Sequence, residues 1–112
     1  MILDSGILTI CKVTTEGENG TMPKEHLQQL HSCFYGERTV GFGRYYAAKG
    51  ADEQIDLLVR IWEDRTVRAG MYAVLENGEQ YRVDLVQHLL DEDGLRVTDL
   101  TLIRREELYD VQ

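Results

Sequence analysis

The chain has 112 residues, 43% of them hydrophobic and 29% charged, enough for one domain with its own core and too few for two. Twelve basic residues against twenty acidic ones leave a net charge of −8. That argues against sequence-specific nucleic-acid binding, whose affinity comes largely from neutralising phosphates. No apolar run approaches the ~20 residues of a membrane span, and Met1 to Gly6 carries Asp4 instead of a basic leader region. The expectation is a soluble, intracellular, single-domain protein with no membrane partner.

In chain order, Ile7 to Val13 reads as a first strand, with Ile7, Thr9, Cys11 and Val13 on one face and Leu8, Ile10 and Lys12 on the other. Apolar residues on both faces predict partial burial on each side. Residues 15–23 contain two glycines, Asn19 and the chain's only proline, which predicts a loop. Pro23 at a first helical position, with Leu27 and Leu30 facing one way, predicts a short helix over Lys24 to His31; residues 15–30 are thus expected as a loop insertion. Cys33 to Val40 reads as extended. The stretch from Gly41 to Ala48 is ambiguous, its glycines permitting unusual backbone angles and Tyr45-Tyr46 favouring a strand. Residues 49–54 are polar and read as a loop.

Ile55 to Ile61 alternates cleanly, which puts Ile55, Leu57, Val59 and Ile61 on the core side and Trp62 on the opposite face. Met71 to Glu76, Asn77-Gly78 and Glu79 to Val86 predict a hairpin with a two-residue turn. That turn would set Val74 opposite Tyr81 and Tyr72 opposite Val83, with Tyr72, Val74, Tyr81, Val83 and Leu85 facing inward. Residues 91–94 form a second turn. Leu95 to Arg104 returns as the last strand, with Leu100 and Leu102 inward and a bulge suggested near residues 97–99. Residues 105–112 are expected to be a loose acidic tail. The predicted fold is all-β and mainly antiparallel: a small rolled sheet or barrel of five to six strands with long loops and a single short helix at most.

Searches for chemistry return little. His26 and His31 are five apart, not on one helical face, and no paired close-spaced ligands accompany Cys11 or Cys33, so no metal site is expected and the histidines read as polar loop residues. The cysteines read as reduced core residues, although a disulfide between them stays open. Asp91 and Asp93 beside Gly94 lack the ligand series of a calcium loop. Gly41-Phe42-Gly43 has no phosphate-loop lysine, and neither Ser5 nor Ser32 sits in a nucleophile elbow. The chain is therefore expected to be neither an enzyme nor a cofactor binder. What stands out is aromatic and arginine content. Adjacent strand tyrosines cannot both point inward, so Arg44, Tyr45 and Tyr46 are candidate partner contacts, with Trp62 as a second candidate.

The stretch from Phe34 to Ala48 resembles the "TVG..R.Y.A" segment of tailed-phage head–tail joining (head-closure) proteins. Ile55 to Ile61 is similar to that family's "ID..VRI" strand, Gly78 to Gln87 to its "G.QYRI..VQ" hairpin, and Leu100 to Arg104 to its closing "L.L.R" strand. Order and spacing agree from Val40 to Arg104. The resemblance implies a structural virion or prophage protein, made in the host bacterial cytoplasm, that joins the portal and adaptor of the capsid to the tail and closes the head after DNA packaging. It implies a ring on assembly, portal, adaptor and tail partners, and no cofactor. Residues 15–23 and 42–54 would be the contacting loops. Another connector component, such as a tail-completion subunit, and a non-viral β-barrel protein-binding module remain the alternative readings.

Overall fold

The computed structural model describes residues 3–16, 24–38, 57–105 and 107–111. They form six strands: β1 (Gly6–Glu16), β2 (Lys24–Arg38), β3 (Leu57–Trp62), β4 (Tyr72–Leu75), β5 (Gln80–Leu90) and β6 (Arg96–Arg104). All six pair antiparallel in one closed barrel of order β1-β2-β3-β6-β5-β4. The fold is all-β, as the alternation predicts. Closure satisfies backbone groups that a flat sheet would leave at its edges.

The predicted helix over Lys24 to His31 is instead the first half of β2, and the 15–30 insertion shrinks accordingly. Lys12 to Glu16 extend β1 beyond the barrel, and Lys24 to Gln28 pair with them residue by residue. Two leucines three apart fit a helix, but Val13 pairs with Leu27, which is fully buried. The register shifts between Ile10 and Cys11, leaving Leu30 as an extra residue on β2. That bulge explains why Leu27 lies on one side of the sheet while Cys33 and Tyr35, of the same parity, pack on the other.

The hairpin exists, but its register is one residue off the prediction. Tyr72 pairs with Arg82, Ala73 with Tyr81 and Val74 with Gln80. Gly78 N donates to Leu75 O and Leu75 N to Glu79 O, so the loop is the three residues Glu76-Asn77-Gly78. Only Gly78 is left-handed, at φ 87°; no described non-glycine residue has positive φ. A two-residue turn would need Asn77 there too, whereas here Asn77 Oδ1 accepts the Glu79 amide at 3.0 Å. Residues 91–95 repeat the design, with Gly94 left-handed and Asp91 Oδ1 accepting from Asp93 N and Leu95 N.

The shifted register divides the predicted inward face. Tyr81 and Val83 join the main core with Leu8, Ile10, Tyr35, Val59, Ile61, Val67, Ala73, Leu100 and Leu102. Tyr72 and Val74 face out into a second cluster with Cys11, Leu27, Val13 and Tyr109. Both faces of β1 are therefore partly buried, as expected. Residues 97–99 carry no bulge and pair regularly with Gln87–Leu89 and Arg60–Trp62; the β5–β6 register shifts instead between Val83 and Leu85 on β5, opposite Leu102 and Thr101. That shift turns Leu85 away and brings Val86 against the core instead. Val59 and Ile61 face inward as predicted; Ile55 lies outside the described residues.

The tail is not loose. Gln80 grips the backbone of Tyr109 with both amide atoms, Nε2 donating to Tyr109 O at 2.8 Å and Oε1 accepting from Tyr109 N at 2.9 Å. Leu27 N donates to Asp110 O at 2.8 Å, and Val111 bridges Leu27 in parallel. The Tyr109 ring meets Tyr72 edge-on at 5.3 Å, with the Arg105 guanidinium 4.4 Å from its centroid.

Candidate docking surface

Alternation along β3 sends Val59 and Ile61 inward, so Leu58, Arg60 and Trp62 lie on the outside. Trp62 is 53% exposed. Register sets Trp62 beside Val97 on β6, and Val97 beside Leu89 on β5. Val97 is fully buried between them, an apolar floor beneath an exposed indole. Leu95, in the turn just before β6, is also exposed. On β2, Phe34 is 62% exposed while its neighbour Tyr35 is 6% exposed. Phe34 pairs with exposed Ile7. The β2–β3 ladder ends at Gly36 opposite Arg60; continued by two residues, it sets Phe34 across from Trp62. The outer wall therefore carries Ile7, Phe34 and Trp62, on β1, β2 and β3, as exposed apolar side chains, with exposed Leu95 just before β6.

One step below Trp62 lies a buried ion pair. Arg60 Nε donates to Asp99 Oδ1 at 2.7 Å and its Nη2 to Oδ2 at 3.0 Å, with both residues buried. The fork geometry locks the guanidinium plane across β3 and β6. The hydrogen bonds it donates to Asp99 hold the Arg60 guanidinium more firmly protonated; burial opposes them, and the charges of Asp99, Glu92 and Asp91 add to the effect.

A polar group closes one end of the barrel. His31 Nε2 and Asp64 Oδ2 lie 2.6 Å apart, Asp64 N donates to Thr98 Oγ1 at 2.9 Å, and His88 Nδ1 meets the same hydroxyl at 2.9 Å. Burial works against the Asp64 carboxylate, but hydrogen bonds from Thr66 and His31 outweigh it and hold the carboxyl below its ordinary range. Nearby Cys33 is pushed up to about 11, by burial and then by the charge of Asp64. A thiol so held is protonated in neutral water and a poor nucleophile. His26, expected in a loop, is buried in β2 with Nε2 2.8 Å from the Thr14 hydroxyl. Both cysteines are free, on opposite sides of the sheet. Among the described residues no group of three or more His, Cys, Asp or Glu side chains could hold a metal ion. No helix among them is long and apolar enough to cross a membrane.

Of the sequence-predicted contacts, Trp62 is where alternation puts it. Arg44, Tyr45 and Tyr46 lie outside the described residues. Phe34 and Ile7 were missed. The adjacency rule applied to Tyr45-Tyr46 would have found Phe34, because Phe34-Tyr35 is also an aromatic pair on one strand.

No family model matches this chain, and no curated protein does. The structure is similar to the solution structure of protein SF1141 from Shigella flexneri 2a, with a TM-score of 0.61 over 91% of this chain and 94% of that one. Sequence identity is 18%. What the two share is the fold.

Proposed function

We propose that this chain is a structural docking subunit of a phage head–tail connector, closing the capsid exit and presenting a platform to neighbouring proteins. The observation that carries the docking half of this reading is Trp62: a large ring more than half exposed on a strand whose other side is the fully buried core. A side chain there is held rigidly and loses little freedom on binding, and tryptophan is the residue type most enriched at the energetic centres of interfaces. The phage half rests on the ordered resemblance from Val40 to Arg104. Its Leu57–Ile61, Gly78–Gln87 and Leu100–Arg104 pieces fall in or beside β3, β5 and β6, which are adjacent in the barrel.

The test is co-sedimentation with portal–adaptor complexes. The wild-type chain is expected to pellet with them. Trp62→Ala should weaken that association at least ~10-fold while shifting the thermal unfolding midpoint little. Absence of wild-type association would overturn the connector reading. Association indifferent to Trp62 would move the docking surface elsewhere.

A further inference from the structure

We infer that residues 107–111 are an exchangeable strand: the slot that holds them on the barrel also takes the same segment from a second copy of this chain, so that neighbouring copies link by trading tails. Neither Trp62 nor the connector reading is needed for it.

Three observations carry it. The first is that the slot is built by other strands and reads main chain. Gln80 on β5 is buried, and its side-chain amide takes both backbone groups of Tyr109, donating at 2.8 Å and accepting at 2.9 Å. Leu27 N on β2 donates to Asp110 O at 2.8 Å. Bonds of this kind fit an extended segment laid along them, as in strand addition to a sheet. Side-chain fit comes from Tyr109. Its ring stands edge-on to Tyr72 on β4, with the Arg105 guanidinium 4.4 Å from its centroid, and its hydroxyl donates to Glu25 Oε2 at 3.2 Å. A second copy brings the same Tyr109-Asp110-Val111 to the same slot. The second observation is where the tail leaves the barrel. It follows β6, the last strand, which ends at Arg104. Moving residues 107–111 to a neighbour therefore breaks no rung of the closed barrel. Each bond lost within one copy is remade between two, so exchange needs no unmet group on either. A tethered tail competes at an effective concentration on the order of millimolar. Dilute copies keep their own tails, and copies held side by side trade them. The third observation is apolar surface that the docked tail leaves uncovered: Leu108 is 62% exposed and Val111 39%. A tail that crosses to a neighbour lies between two barrels, where Leu108 has a second surface to pack on.

Complementation tests it. Gln80→Ala removes the clamp from the slot and keeps the tail. Tyr109→Pro removes the ring and the amide N–H from the tail and keeps the slot. Neither variant has both parts, so each alone is expected to sediment as a monomer. Mixed at roughly millimolar concentration, the two should sediment as a pair, and excess free peptide of residues 107–112 should return that pair to monomers. A mixture that stays monomeric while both variants keep their barrel by circular dichroism would overturn the inference. So would pairing by either variant alone, or a pair that the peptide does not dissolve. The wild-type chain gives a second measurement that needs no substitution. In a mixture of isotope-labelled and unlabelled copies at the same concentration, nuclear Overhauser contacts should join Tyr109 of one copy to Tyr72 of another. Contacts confined to single copies would overturn the exchange even where a variant failed to fold.

Discussion

At the scale of single residues, two buried or half-buried carboxylates make the sharpest demands. Asp99 and Arg60 were taken out of water together, and each is tolerable only because of the other. Arg60→Met is expected to destabilise the fold by about 3–5 kcal/mol, because it strands the Asp99 carboxylate. Arg60→Met with Asp99→Leu should recover most of that loss, since the desolvation cost disappears with both charges. Urea unfolding of the two single variants and the double variant completes the cycle; simple additivity would deny the coupling. Asp64 makes a different prediction. Its folded pKa is depressed below the ordinary value of 3.8, so its stabilisation is present above the unfolded value and is lost as pH falls through the folded one. Asp64→Asn should lower the thermal midpoint at neutral pH and flatten its decline below about pH 4. Parallel curves for the two proteins would show that Asp64 does not couple protons to folding. Neither pair was legible in the sequence. Arg60 and Asp99 are 39 residues apart, and His31 and Asp64 are 33; only the strand order brings them together.

At the scale of elements, legibility follows the locality of the rule. Alternation in Leu57–Trp62 depends on the strand alone, and it placed both the core residues and Trp62 correctly. A bulge depends on the partner strand, so the two at Leu30 and Asp84 could not be read from either segment by itself. They are also what turned an apparent helical spacing at Leu27 and Leu30 into a strand, and Leu85 outward. The tail shows the same limit. The tail reads as loose and acidic, yet Gln80 treats Tyr109 as a strand neighbour, and the Leu27 amide has Asp110 O as its acceptor. Truncation after Arg105 is expected to cost about 1–3 kcal/mol, the range for leaving buried hydrogen-bonding groups without partners. Amide exchange should localise the damage: Leu27 N–H, protected in the full chain, should exchange faster in the truncated one. A tail that merely lay on the surface would leave both stability and Leu27 protection unchanged.

At the scale of the whole molecule, the net charge of −8 acts on folding and docking with opposite sign. In the folded chain the excess carboxylates are drawn together into a small body, and their mutual repulsion opposes the compact state. Added salt screens that repulsion over distances beyond about 8–10 Å at ionic strengths of 0.1–0.15 M. The Arg60–Asp99 pair is insulated by burial and should not weaken in step. The exposed pairs Lys24–Asp110 and Arg65–Glu63, at 3.4 Å each, do weaken, but surface pairs are worth little to begin with. Raising sodium chloride from about 20 to 150 mM, which shortens the screening length several-fold, should therefore raise the thermal midpoint by a few degrees. Docking to a partner of opposite charge gains from the same charge that strains the fold, so that salt change should weaken association with portal–adaptor complexes. If the thermal midpoint and association both fell with salt, favourable surface pairs would outweigh net repulsion in the folded chain. The acidic balance would then be stabilising the barrel itself, with its value to a partner secondary.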